Sequence, residues 1–413
     1  MRIIYSFLVY IVIFLSPLLI IYRIFKKKES PKRFFEKFSF NKEKRKQGKL
    51  VWFHCSSVGE LLSVVPLVQE FEKIRNIKQI LVTTSTLSSS KIFKKFKFKK
   101  TLHQFYPLDN VHIVNNFLNY WRPSSVIFVE SEIWPTMISQ LKKRKVRVVL
   151  INARMSEKSF RRWFYFKRFG KNILEKFDYI FPQNKETFSY FKKLDININK
   201  LKFLGNLKFI NTHNDKLKEV NKKYFKNKTV ICAASTHHNE EEIFASLHNR
   251  FKKRIPNLIT IIIPRHIERV SEITQMLDKK ELKFIKHSQN RKNYKKNDVY
   301  IVDSYGENKS FYKISNVVFI GGSLVSRGGQ NPLEALRFGC NILHGNYTFN
   351  FKDVYKMLEN EKLSLKVNNI KDLEKKTLSL LKNKKNNLNK INKFKKIGDL
   401  ILKKNFNELR RII

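Results

Sequence analysis

Apolar positions follow two different regimes along the chain. From Ile3 to Tyr22 the sequence is uncharged, close to the roughly 20 residues that cross a bilayer. Arg2 precedes this run, and Arg23, Lys26, Lys27, Lys28, Lys32 and Arg33 follow it. The asymmetry predicts an N-terminal transmembrane helix with everything after it in the cytoplasm. A cleaved signal peptide fits less well, because the run exceeds a usual h-region and no A-x-A-like site follows.

Beyond residue 48 short apolar runs alternate with stretches of helical spacing. Leu50–His54, Gln79–Thr84, Ser125–Val129 and Val146–Ile151 read as strands, with helices at 61–74 and 88–98. A second set comprises Thr229–Ala234, Leu258–Ile263, Asp298–Val302, Val317–Ile320 and Asn341–Leu343. The Lys- and Asn-rich stretch 211–228 separates the two sets as a linker. Such alternation predicts parallel sheets covered by helices on both faces. The expected organisation is an anchor at 1–25, a juxtamembrane segment at 26–48, doubly wound α/β domains at 49–212 and 213–385, and a C-terminal helix at 386–413.

Composition narrows the partners without choosing among them. Against 34 Asp and Glu stand 84 Lys and Arg, a formal charge of +50, which suits nucleic acid, an anionic membrane or phosphorylated substrates. Lys, Asn, Ile and Phe, all with AT-rich codons, are abundant, so genome bias explains the excess charge as well as a functional demand does. Two stretches, 91–100 and 160–169, interleave bases with aromatics, as membrane-surface helices and single-stranded nucleic-acid binders both do. The three cysteines, Cys55, Cys232 and Cys340, lie far apart, which leaves no C-x-x-C for zinc or redox work and fits a reducing compartment.

Candidate chemistry collects where strands end, the place at which open α/β sheets bind ligands. Glu60 follows the first strand in His54-Cys55-Ser56-Ser57-Val58-Gly59-Glu60; Ser57-x-x-Glu60 is also a capping box. Glu130-Ser131-Glu132-Ile133-Trp134-Pro135 follows another strand and is either part of a site with Glu60 or a capped turn. In the second half, Gly321-Gly322 through Gly328-Gly329 lets backbone approach a ligand closely, with Asn331 as N-cap and Pro332 at the first helical position. Glu334 suits ribose hydroxyls or the cap. Arg265, after the strand at 258–263, can hold a phosphate. The pattern is neither G-x-G-x-x-G nor Walker A. His237, His238 and Glu240–Glu242 suit carboxylates opening a helix better than a metal site.

Together, Ser56–Glu60, Glu130–Pro135, Ala153-Arg154-Met155-Ser156, Gly205-Asn206-Leu207-Lys208, Ala234–His237, Pro264-Arg265-His266, Gly321–Leu324 and Asn331–Glu334 occur in order over nearly the whole chain. In this register they resemble the 3-deoxy-D-manno-octulosonic acid (Kdo) transferases of lipopolysaccharide synthesis. The resemblance implies a GT-B-type glycosyltransferase of the inner membrane with two Rossmann-like domains, the first for the acceptor and the second for CMP-Kdo. It would move Kdo from CMP-Kdo to the phosphorylated disaccharide lipid A precursor, lipid IVA, by inverting displacement. Glu60 would be the general base, while Glu130 and Lys208 would stabilise the transition state. Pro264, Arg265, Tyr305, Gly306, Glu307, Asn331, Pro332, Leu333 and Glu334 would hold CMP. It implies no metal, no cofactor and no nucleic acid. Gln330, Ala335 and Asn308 depart from the family pattern, as does the tail after Ile397. Two rivals make other demands: a membrane-tethered nucleic-acid binder needs no acidic site, and a related glycosyltransferase would take a UDP-sugar.

Overall fold

The computed structural model describes residues 2–40, 43–210, 220, 222–289, 297–382 and 387–413. Two compact units are present: Met1–Thr212 with Ile397–Ile413, and His213–Lys396. Of the expected linker, residues 211–219 and 221 lie outside the described residues.

In chain order the first unit holds α1 (Arg2–Phe25), β1 (Lys49–His54), α2 (Val58–Glu72), β2 (Ile77–Thr84), α3 (Leu87–Phe93), β3 (Thr101–Phe105) and α4 (Val111–Trp121). Then come β4 (Ser125–Val129), α5 (Pro135–Lys143), β5 (Arg147–Ala153), α6 (Glu157–Tyr165), α7 (Lys167–Leu174), β6 (Tyr179–Pro182) and α8 (Lys185–Lys193). Its sheet is parallel throughout, in the order β3-β2-β1-β4-β5-β6. The chain works outward from β1 to β3, then returns to place β4 on the other side of β1. This reversal opens a crevice beyond the ends of β1 and β4.

Alternation along β1 feeds two cores. Leu50 and Trp52 pack with Phe117, Trp121 and Phe128 on one face, whereas Val51, Phe53 and Cys55 pack with Val64, Leu67 and Phe71 on the other. By the same period His54 turns to the Trp52 side and stacks on Tyr106 at 3.8 Å. Side-chain caps at Ser57, Thr86, Asn110, Ser156 and Asn184 start α2, α3, α4, α6 and α8, so the loops before these helices have defined ends.

The second unit comprises α9 (Lys222–Phe225), β7 (Thr229–Thr236), α10 (Glu240–Lys252), β8 (Leu258–Pro264), α11 (Val270–Lys279), β9 (Phe284–Lys286), β10 (Val299–Ile301) and α12 (Asn308–Ile314). It continues with β11 (Val317–Ile320), α13 (Leu333–Leu336), β12 (Asn341–His344), α14 (Lys352–Asn360), β13 (Ser364–Lys366), α15 (Ile370–Lys382) and the start of α16 (Asn387–Ile412). Strand order is β13-β12-β11-β7-β8-β10-β9, again all parallel, with the reversal between β7 and β11. The end of α16 belongs to the first unit, where Leu409 and Ile412 join the core around Phe71.

The expected transmembrane helix is corrected. Among the described residues no helix is long and apolar enough to cross a membrane. The run at Ile3–Tyr22 does lie in one helix, α1, with Pro17 inside it, but one face of α1 is used for packing. Ser16 and Ile20 are buried, and Tyr5 donates its hydroxyl to Asp109 at 2.6 Å. The opposite face is apolar and exposed, Phe14 by 83% and Leu18 by 69%. The basic stretch 91–100 is also less helical than its spacing predicts: α3 stops at Phe93.

Close approach of the second unit's loops makes a testable demand. A Cβ at Gly321 would overlap the Ser235 carbonyl oxygen, which is backbone and cannot swing aside. Gly321→Ala should therefore cost roughly 2–4 kcal/mol of stability, and thermal unfolding followed by circular dichroism would reveal it. An unchanged midpoint would refute the tight approach.

Candidate active site

At the reversal point of the first unit, Ser57 caps α2: its hydroxyl accepts from the Glu60 amide at 3.3 Å. The Glu60 carboxylate reaches back to the Ser56 amide at 2.7 Å and the Ser57 hydroxyl at 3.0 Å. The capping box is therefore real, displaced one residue from the usual return to the cap's own amide. Two donors and the start of a helix would depress a carboxyl's proton affinity. Burial acts the other way and is larger; with the charges of Glu132 and Glu130 added, the Glu60 carboxyl is pushed up to about 7. Capping and basicity coexist because desolvation outweighs two hydrogen bonds.

The carboxylates after β4 are held differently from each other. Glu130, buried and at φ +58°, is fixed by backbone bonds from its amide to Ile151 O and from the Arg154 amide to its carbonyl. Its carboxylate meets the Lys208 ammonium at 2.7 Å and accepts a longer bond from Asn152 Nδ2 at 3.4 Å. Asn152 also accepts from the Leu207 amide, which ties the 3-10 turn Leu207–Phe209 to the end of β5. Glu132 accepts from His54 Nε2 at 3.0 Å and from Trp134 Nε1 at 2.9 Å. Glu60, Glu130 and Lys208 are thus gathered at one crevice, and Glu132 and His54 join them.

In the second unit the glycine loop is occupied by a side chain of its own fold. Glu240, fully buried at the first position of α10, accepts from the amides of His237 at 3.0 Å, Gly322 at 2.7 Å, Ser323 at 3.1 Å and Leu324 at 3.0 Å. Burial pushes its carboxyl above its ordinary value, against the pull of these four bonds. The amides at the start of the glycine loop therefore serve a carboxylate of the same unit. The cap of α13 also shifts: Pro332 is the capping position, Asn331 Oδ1 accepts from the Leu333 amide at 3.0 Å, and the helix is a single turn. The Glu334 carboxylate makes no hydrogen bond or ion pair among the described residues.

Pro264 ends β8 beside Thr236, and the Arg265 amide donates to Thr236 O. The Arg265 and Arg327 guanidinium groups, both exposed, have no partner among the described residues. Together with His266 and Arg269 their charges add to burial in depressing the basicity of His237, which lies 3.4 Å from the Gln330 side chain. This cationic group suits an anion. The loop Tyr305-Gly306-Glu307 is secured away from its own backbone: Tyr305 donates to Glu268 at 3.0 Å and Glu307 pairs with His287 at 2.7 Å. Gly306 takes φ +81°, where glycine is favoured. His238 pairs with Glu272, and among the described residues no group of three His, Cys, Asp or Glu is placed to hold a metal ion.

Residues 32–211 match the family model of the 3-deoxy-D-manno-octulosonic-acid transferases, and residues 214–398 that of group 1 glycosyl transferases. A 3-deoxy-D-manno-octulosonic acid transferase of Haemophilus influenzae is 31% identical over 88% of this chain and 85% of its own length. The chain belongs to the Kdo transferase family. A Rickettsia bellii Kdo transferase is 34% identical over 89% of this chain and 88% of its own. A glycosyltransferase structure from Rickettsia africae, 11% identical, has a TM-score of 0.58 over 89% of this chain and 99% of that one, which shows a shared fold alone.

Among the residues of this Kdo transferase that sequence reasoning left out, His54 offered only its place at a strand end, and Arg327 only its setting between glycines. Nothing in spacing marked Glu240 as the carboxylate that fills the glycine loop. That role predicts a contrast between two equivalent substitutions. Glu240→Gln puts an amide NH₂ against backbone N–H groups and should destabilise the protein by about 2–4 kcal/mol. Glu60→Gln, with two donors to satisfy, should cost about 1 kcal/mol or less. Equal losses in denaturant titrations would contradict the different roles given to the two acids.

Proposed function

We propose that this Kdo transferase takes Kdo from CMP-Kdo and passes it to the phosphorylated disaccharide lipid A precursor, lipid IVA, by a single inverting displacement. The observation that carries this reading is Glu60, half-buried near Glu130 and Glu132 with its carboxyl pushed up to about 7. Such a carboxylate accepts a proton near neutral pH far better than an ordinary one. It removes the proton of the acceptor hydroxyl as that oxygen bonds to the anomeric carbon of Kdo. The bond from that carbon to the CMP phosphate oxygen breaks, and CMP leaves with the electron pair.

The exposed guanidinium groups of Arg265 and Arg327 support a role in meeting the CMP phosphate, and stabilising negative charge there favours departure. Lys208, already paired with Glu130, orients that carboxylate and limits its charge. Incubation with lipid A precursor and either CMP-Kdo or UDP-sugars tests the donor and acceptor together: a mass increment of Kdo from CMP-Kdo alone is expected, and transfer only from a UDP-sugar would overturn the reading. The rate kcat/KM should fall as pH drops below about 7, where Glu60 becomes protonated. Glu60→Gln should lose this limb and at least about a hundredfold in kcat; full activity in a folded Glu60→Gln protein would remove Glu60 from the mechanism.

The same reading places the enzyme at the cytoplasmic face of the inner membrane, bound at its surface. Support comes from the apolar outer face of α1 and from α6 and α7, where Tyr165 is 82% exposed and arginines and lysines surround it. Phe14→Glu with Leu18→Glu should reduce flotation with phosphatidylglycerol vesicles severalfold; unchanged flotation would count against α1 as the contact.

A further inference from the structure

His54 is buried at the end of β1, yet both of its ring nitrogens are engaged. Trp52 Nε1 donates to Thr83 Oγ1 at 2.8 Å, and Thr83 Oγ1 lies 3.0 Å from His54 Nδ1. The Thr83 hydroxyl, having accepted the indole N–H, can give its own proton to Nδ1. The imidazole proton then sits on Nε2 and points at Glu132 Oε2, 3.0 Å away. Nδ1 also lies 3.3 Å from the Thr83 carbonyl oxygen, but the hydroxyl is nearer and can donate, so a neutral ring in this tautomer satisfies Nδ1, Nε2 and Glu132. Trp134 Nε1 meets the same Glu132 oxygen at 2.9 Å.

Packing fixes the ring as firmly as its hydrogen bonds do. His54 stacks on Tyr106, which in turn packs on Trp134 at 5.2 Å. The far end of the acidic loop is secured too, since Asp109 accepts from the amides of Thr136 and Met137 that open α5. The loop carrying Glu132 is therefore held from two segments, the end of β1 and the stretch between β3 and α4, and none of those contacts brings a fixed cation to it.

We propose that His54 is a positioning residue for Kdo transfer, which orients Glu132 as a third carboxylate of the site without cancelling its charge. The neighbouring pair shows what the alternative does. Lys208 both orients Glu130 and compensates it, whereas a neutral imidazole donates a hydrogen bond and leaves the negative charge of Glu132 to act on Glu60. That charge helps to keep the Glu60 carboxyl a competent base. The charged and titratable groups around Glu60 are Glu130 and Glu132 after β4, Lys208 on its pair with Glu130, and Cys55 at the end of β1; those around His54 are Glu132 and Tyr106. This inference rests on Glu60 being the base.

Full pH profiles of Kdo transfer separate the two. Glu132→Gln should move the acidic limb to lower pH by about half to one unit and lower kcat about tenfold, with KM for CMP-Kdo little changed. His54→Leu should move the limb the same way, and His54→Gln, whose amide can donate from near the Nε2 position, should restore most of both. If His54→Leu does not fold, Glu132→Gln and His54→Gln still decide the matter: the first must shift the limb and the second must keep it. An unshifted limb in Glu132→Gln, with Glu60→Gln inactive, would overturn the proposal and leave Glu60 as base. A fully active Glu60→Gln would overturn both.

Discussion

The reversal of strand order beside the first strand of each sheet is the constraint on which the rest depends. Parallel strands send all their carboxyl ends to one side, and the reversal leaves two neighbouring loops with no helix crossing between them. In the first unit those loops follow β1 and β4; in the second they follow β7 and β11. Each unit sets a glutamate in the first turn of the helix that follows its first strand. Glu60 and Glu240 therefore stand in equivalent places.

Their chemistry diverges because of what the adjacent loop offers. The loop after β11 presents amides, and Glu240 takes three of them together with the His237 amide. A fully buried carboxylate with four donors braces the glycine turn, which leaves the exposed arginines near His237 as the groups able to meet an anion. The loop after β4 instead presents Glu130 and Glu132. Burial, with these like charges added to it, then raises the proton affinity of Glu60 against the pull of its cap. One topological position yields a loop brace in one unit and, in the other, a capping carboxylate of raised proton affinity.

Central strands were legible in the sequence and edge strands were not. β1, β2, β4, β5, β7, β8, β10, β11 and β12 all coincide with apolar runs of β-branched and aromatic residues. The four missed strands, β3, β6, β9 and β13, are the four sheet edges. A central strand buries both faces and reads as a continuous apolar run, whereas Thr101–Phe105 or Ser364–Lys366 is short and partly polar. The N-terminal helix misled for a related reason. Hydropathy records how apolar Ile3–Tyr22 is but not which face packs, and the bond from Tyr5 to Asp109, 104 residues away, has no local signature. Charge spacing likewise overextended α3, whose last expected turn gives way to the approach to β3.

By itself the sequence determined the family, the alternation that makes two parallel sheets, and the strand ends at which Glu60, Glu130 and Arg265 lie. These are local properties: period, composition and short motifs survive without knowledge of contacts. Tertiary structure alone decided that the capping Glu60 keeps a raised proton affinity, that Glu240 occupies the glycine loop, and that His54 reaches Glu132. Each of those depends on burial and on partners from distant segments, and the free energy of a buried charge is set by what surrounds it, not by its neighbours in the chain.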